Sequence, residues 1–213
     1  MKKVLCFTYS YHRPKFLRNC IQEMILQTYP VTHAVNIAYD EGDYLKHYET
    51  MLSDFKELSN IKWEYFPNKH LQVNAVNALK IFPDFMDYDY YVKIDDDDIY
   101  KNRYIENIVN FMNSTGADIC STPIKVRIAI DMFQDSHYFN FGGNPEGTDY
   151  NVPFSFAFNK KAMELVLGIQ NIYHWEDKMW RDVWYANGLV HKTLDNSDQL
   201  IWNIHGRNSA VKV

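Results

Sequence analysis

The chain has 213 residues, 46% hydrophobic and 16% aromatic, which is enough for one well-buried core and short for two. Its formal net charge is −5, with no basic block beyond pairs such as Lys2-Lys3 and Lys160-Lys161, so a nucleic-acid partner is unsupported. Nothing approaches the ~18 consecutive apolar residues of a membrane span, and residues 4–7 are too few for a signal peptide core, so any membrane contact is expected to be peripheral. Cys6, Cys20 and Cys120 are odd in number, far apart and without metal-ligand spacing. They predict reduced core thiols in a cytoplasmic protein rather than a disulfide framework.

Strand-like and helix-like patterns alternate through the first 120 residues. Residues 4–9 predict a first strand, and Pro14 then opens a helix carrying Leu17, Cys20, Ile21, Met24 and Ile25 at helical spacing and stopping before Pro30. A second strand at 34–39 leads into the acidic turn Asp40-Glu41-Gly42-Asp43, followed by a helix at 44–58, a strand at 61–66 and a helix at 73–81. Residues 90–94 read as a buried strand, and another helix starts near Asn102. Such alternation predicts a mostly parallel sheet flanked by helices, with ligands outside the carboxyl ends of the strands. From 121 to 150 the pattern fades, and Gly142-Gly143, Pro145 and Gly147 predict a long loop region over the site. Beyond it, Ile172, Trp175, Met179, Val183 and Ala186 recur at helical spacing and predict one apolar helix face, with Glu176 and Asp177 near its start.

Directly after the 90–94 strand come Asp95, Asp96, Asp97 and Asp98. Like charges about 4 Å apart repel by roughly 4 kcal/mol at an effective dielectric near 20, so such a run needs cations or hydrogen-bond donors around it. Hard Mg or Mn ions suit carboxylates, and Mg takes one or two from a protein while substrate phosphates and waters complete its shell. The plainer alternative is an acidic turn favouring the dipole of the helix near 102. An EF-hand is excluded because Ile99 and Tyr100 stand where a ligand and the invariant glycine belong. The same bulky pair argues against an aspartyl phosphatase, which wants a small hydroxyl residue there.

Phe7-Thr8-Tyr9-Ser10-Tyr11-His12-Arg13-Pro14 through Gln27-Thr28-Tyr29-Pro30 resembles the opening of family 2 glycosyltransferases. Further segments follow in the family's order. Asp40-Glu41-Gly42 resembles its D-D-G, Asn68 through Asn77 its N-x-G-x-x-x-A-R-N stretch, Ile94 through Ile99 its L-D-x-D-D (DXD) segment, and Trp175-Glu176-Asp177 with Trp180 its E-D-x-x-W helix. His70 and Leu71 stand where that pattern wants glycine, Val76 replaces its arginine, and Tyr11 with His12 lengthens the first turn.

The resemblance implies an α/β GT-A nucleotide-diphospho-sugar transferase fold over 1–213, a single catalytic domain without the membrane helices of many relatives. Roughly residues 1–100 would bind the nucleotide sugar and 101–213 the acceptor. It implies a metal-dependent, inverting glycosyltransferase moving a sugar from a nucleotide donor, UDP foremost, to a hydroxyl acceptor such as a cell-envelope glycan or lipid-linked oligosaccharide. A protein or a modified nucleic-acid base is the minority acceptor. Thr8, Tyr9, Arg13, Asp40, Asn77, Asp95 and Asp96 fall to the donor, although strict strand alternation turns Asp96 away from Asp95 and Asp97. Asp97, Asp98 and His205 fall to a Mn or Mg ion, Asp177 to the general base and Glu176 to its support, with Arg207 a further phosphate clamp.

Ordinary structure offers a competing account of each. Asp40 suits a plain turn, Asp177 suits an i, i+4 pair with Arg181, His205 suits a structural role, and Trp175, Trp180, Trp184 and Tyr185 suit a core as well as a sugar platform. A sugar-phosphate nucleotidyltransferase should open with a glycine-rich loop, which Tyr9-Ser10-Tyr11-His12 is not. A catalytically silent nucleotide-sugar-binding module and a structural protein with an acidic Ca site are the non-enzymatic alternatives.

Overall fold

The computed structural model describes residues 1–39, 43–67, 79, 81–122, 126–131, 134–139, 155–169, 176–196 and 198–204. The first half contains β1 (Val4–Tyr11), α1 (Pro14–Ile25), β2 (Thr32–Tyr39), α2 (Asp43–Leu52), β3 (Ile61–Pro67) and β4 (Tyr90–Lys93). Then follow β5 (Ile99–Tyr100), α3 (Tyr104–Thr115), β6 (Ile119–Ser121), β7 (Val126–Asp131) and β8 (Gln134–Phe139). The remainder is β9 (Phe156–Asn159), α4 (Lys160–Leu167), α5 (Glu176–Ala186), β10 (His191–Thr193) and β11 (Leu200–Ile204).

Seven strands form the central sheet in the order β10-β6-β9-β4-β1-β2-β3. All neighbours pair in parallel except β9, which runs antiparallel between β4 and β6. Burial on both faces explains why β1 is apolar without alternation. Val4 and Cys6 point to one side, where they pack with Cys20 and Met24 of α1 and Ile105, Ile108 and Val109 of α3. Leu5 and Phe7 point to the other, against Ala162, Met163 and Val166 of α4 and Trp180 and Trp184 of α5. Tyr48 and Leu52 of α2 join Leu17 and Ile21 of α1 over Val35 and Ile37 of β2. All three cysteines are free and buried. Among the described residues no helix is long and apolar enough to cross a membrane.

Several expectations need correction. The helix expected at 44–58 ends at Leu52 and tightens into a 3-10 turn at Ser53–Phe55. The stretch expected to be irregular, 121–150, contains the hairpin β7–β8, which joins β5 and β11 in a second sheet of order β5-β11-β7-β8. Its second strand, Gln-Asp-Ser-His-Tyr-Phe, lacks an apolar alternation and is held by pairing rather than by pattern. The buried face of α5 is also not Met179-Val183-Ala186. Trp180 and Trp184 are fully buried and Ala186 is exposed, because two indoles one turn apart bury far more apolar area than the smaller residues beside them. The helix expected at 73–81 lies outside the described residues, apart from the buried Leu79 and from Ile81.

One buried polar contact ties β1 to β2: Thr8 Oγ1 and His33 Nε2 lie 2.8 Å apart. Burial lowers the His33 imidazole to about 3, so it folds neutral. Between that value and the ordinary ~6.5 the unfolded chain binds the extra proton, and stability is lost as pH falls through this window. His33→Gln removes the titration. The stability gap between wild type and variant, measured by urea denaturation, is therefore expected to narrow as pH drops from about 7 to about 4. Parallel profiles would contradict a neutral buried imidazole.

Candidate active site

From β1 the chain proceeds to β2 on one side, while β4 pairs with β1 on the other, so the order of connection reverses between β1 and β4. A crevice at the carboxyl ends of the strands opens at such a reversal. Two segments leave the sheet there. Tyr11-His12-Arg13 leaves β1, and Asp95 to Asp98 leaves β4, with Ile94 N–H donating to Phe7 O at 3.0 Å to hold the two ends together.

The turn after β1 is tightly specified. His12 adopts φ +57°, a left-handed conformation that non-glycine residues seldom take, and its ring stacks on Tyr11 at 3.8 Å between centroids. Tyr48 of α2 meets Ser10 Oγ at 2.8 Å and accepts the Arg13 backbone N–H at 2.8 Å. Pro14 then starts α1 with its φ already helical. Arg13 is thereby aimed across the crevice, with its side chain only 15% exposed.

The aspartate run does not stay extended. Asp98 N–H approaches Asp95 O at 3.5 Å, Asp95 N–H donates to Tyr100 Oη at 2.9 Å, and Tyr100 N–H donates to the Glu23 carboxylate at 2.8 Å. Turning there folds Asp96 and Asp97 toward the same partner, where alternation alone would send them to opposite faces. Arg13 Nη2 lies 2.7 Å from Asp96 Oδ1, and Arg13 Nη1 donates to Asp97 Oδ2. Asp96, Asp97 and Asp98 are all buried, whereas the Asp95 side chain is about a third exposed, 3.5 Å from Lys93 Nζ. Burial raises the Asp96 carboxyl above the ordinary range, Arg13 draws it back, and neighbouring Asp97 opposes ionisation. For Arg13 burial works against the charge, yet Asp96, Asp97 and Asp95 together raise its pKa above the ordinary value.

The structure thus gathers Arg13, Asp95, Asp96, Asp97 and Asp98 at the carboxyl ends of β1 and β4, with Tyr9 half-buried on β1. Thr8 sits instead beneath the sheet surface, its hydroxyl 2.8 Å from His33 Nε2 and 3.8 Å from Cys20 Sγ, because its side chain points to the α1 face. Glu176 and Asp177 open α5. That helix is anchored three residues later, where Trp180 meets Phe7 at 6.2 Å, and Phe7 pairs with Lys93, two residues before Asp95. Trp180 and Trp184 are core residues, while Tyr185 is half exposed. β11 runs antiparallel to β5 with Ile201 opposite Ile99, which directs it back along the aspartate turn. Asp40, Asn77, Trp175, His205 and Arg207 lie outside the described residues. Among the described residues no three His, Cys, Asp or Glu side chains are grouped to hold a metal. A groove of about 590 Å³, lined by Lys2, Asp89, Tyr90, Asn159 and Lys160, lies at the opposite end of β4 and is remote from this constellation.

Ser10, Tyr48, Glu23 and Tyr100 were not foreseen. Each acts on a residue 5 to 77 positions away through a hydroxyl, carboxylate or backbone group, a kind of partnership that carries no local sequence signal.

The strand order and this crevice define a GT-A fold. The structure is similar to that of S. aureus TarS 1–349 in complex with UDP-GlcNAc, at TM-score 0.67 and 13% identity over 99% of this chain and 62% of that one. It is equally similar to the mannosyltransferase PcManGT from Pyrobaculum calidifontis in complex with GDP-Man and Mn2+, at TM-score 0.67 and 11% identity over 98% of this chain and 58% of the other. The chain therefore spans less than two thirds of either relative. Residues 6–166 match glycosyl transferase family 2, and the chain belongs to that family. No curated protein sequence matches it.

Glu23 supplies a test of the support under the aspartate turn. Burial pushes its carboxyl up to about 7 despite the Tyr100 N–H that favours the anion. The folded protein binds this proton more tightly than the unfolded chain, so the contribution is present below ~4.5 and is lost as pH rises through about 7. Glu23→Gln keeps an acceptor for Tyr100. Its stability relative to wild type is expected to rise by the order of 1–3 kcal/mol between about pH 4 and pH 8. A difference independent of pH would place Glu23 in solvent.

Proposed function

We propose that this domain transfers a sugar from a nucleoside diphosphate donor, UDP foremost, to a hydroxyl acceptor with inversion at the anomeric carbon. The observation that carries this reading is the meeting of Arg13 with a buried aspartate turn at the reversal point of the sheet. The relatives lend support: one was captured with UDP-GlcNAc and the other with GDP-Man and Mn2+. The first half of the chain, residues 1–100, carries this donor crevice. The second half, 101–213, serves the acceptor, for which a cell-envelope glycan or lipid-linked oligosaccharide is the leading class.

A divalent Mn or Mg ion fits the donor set. Buried carboxylates are hard oxygen ligands, and a cationic guanidinium already occupies the position between two of them. The lack of a three-ligand protein cage among the described residues suits an ion that takes one or two carboxylates and fills its shell from phosphates and water. Asp97 would hold it, with Asp98 and His205 as further ligands. The direction of β11 supports His205, which follows that strand directly. Bound there, the ion supplies Lewis-acid stabilisation to the departing diphosphate.

The protein's own residues do the rest. Asp95, the most exposed of the run, faces the ribose, with Tyr9, Asp40 and Asn77 completing the nucleotide contacts and Asp96 anchoring the turn from beneath. Asp177, at the first turn of α5, takes the acceptor hydroxyl proton as that oxygen attacks the anomeric carbon. The bond from that carbon to the diphosphate oxygen breaks, and the nucleoside diphosphate leaves on the opposite face. Glu176 orients the base.

In a thermal-shift panel of nucleoside diphosphates and nucleotide sugars, Mn is expected to enable a rise in melting temperature for one nucleotide class in the wild type and not in Asp97→Ala. No shift with any nucleotide overturns the donor site. Asp177→Asn is expected to retain donor binding within a few-fold and to lose transfer by about 100-fold or more, as removal of a general base does. Retained transfer removes Asp177 from that role, and donor binding without transfer in the wild type would indicate a binding module.

A further inference from the structure

The guanidinium of Arg13 is held from several sides. The φ of +57° at His12, the Tyr48 hydroxyl on the Arg13 backbone N–H and the following Pro14 all fix where its side chain begins. Its two terminal nitrogens reach Asp96 and Asp97 separately, a span that a planar fork matches and a single ammonium does not. Asp96 is only 1% exposed, so an ionised carboxylate there is costly without a charged partner.

We infer that Arg13 is an internal placeholder for the divalent ion: it neutralises Asp96 and Asp97 while the crevice is empty, and incoming metal displaces it from Asp97. This rests on the reading of Asp97 as a metal ligand. Guanidinium and metal compete for the same carboxylate, and their mutual repulsion keeps them from sharing it closely. Metal alone therefore binds weakly. Metal accompanied by a diphosphate binds well, because the phosphate oxygens add ligands and negative charge that offset both cations. The protein thereby avoids carrying an unneutralised acid cluster between turnovers and takes up metal together with donor.

The test is Mn2+ binding, followed by the electron paramagnetic resonance of free Mn2+, to wild type, Arg13→Gln and Arg13→Lys, each with and without UDP. Melting temperatures are recorded with and without Mn2+ on the same samples. Arg13→Gln is expected to melt lower than wild type without metal, to bind Mn2+ alone about tenfold or more tighter, and to recover melting temperature on Mn2+ addition. Arg13→Lys is expected to fall between, since its single ammonium leaves one carboxylate to the ion. Wild-type binding of Mn2+ with UDP, but unchanged affinity for Mn2+ alone in both variants, overturns the placeholder and leaves the donor site standing. Absence of Mn2+ binding in every protein, with UDP or without, overturns both. If Arg13→Gln does not fold, Arg13→Lys decides alone: affinity for Mn2+ equal to wild type overturns the placeholder.

Discussion

Buried carboxylates at the end of a central strand are costly unless positive charge is brought to them, and Arg13 brings it to Asp96 and Asp97. Much of the local architecture serves that contact. Pairing of β1 with β4 puts the two strand ends side by side, and Ile94 N–H on Phe7 O fixes their spacing. Ser10 and Tyr48 hold the turn that projects the arginine, while Tyr100 and Glu23 hold the turn that presents the aspartates. Removing one partner of such a buried pair leaves an uncompensated charge, which is more damaging than never having had the pair.

The same sheet links the aspartate turn to the second half of the chain. Phe7 is the common point: its backbone neighbours the β4 end, and its ring packs on Trp180 and Phe158. Trp184 adds a hydrogen bond from its indole N–H to Ala162 O at 2.9 Å, locking α5 onto α4. A helix whose first turn carries Glu176 and Asp177 is thereby seated by aromatic packing against β1, the strand that leads to Arg13.

Much of this was legible in the amino-acid sequence, for reasons that differ by element. β1, α1, β2, β3 and β4 carry recognisable apolar patterns with Pro14 and Pro30 as punctuation, and they appear within two residues of where the pattern puts them. β8 did not, because its residues are polar and its register is set by β7 across the hairpin. The apolar face of α5 was misassigned because spacing counts residues equally, whereas burial favours the two largest side chains. At the site, the aspartate run and Arg13 were visible by residue type, but their direct contact was not. It depends on a turn at Asp95 to Asp98 and on hydroxyls 5 and 35 residues from the groups they hold. The burial of Thr8 against His33 was likewise hidden, since it follows from the register of β1 on β2.

The most direct test of the account locates the ion and donor on the molecule. Backbone amide resonances recorded with UDP and substoichiometric Mn2+ report proximity to the paramagnetic centre. Broadening is expected to centre on Tyr9 to Arg13 and Asp95 to Asp98, at the carboxyl ends of β1 and β4. Broadening centred instead on the groove near Lys2, Asn159 and Lys160, at the other end of β4, would contradict it.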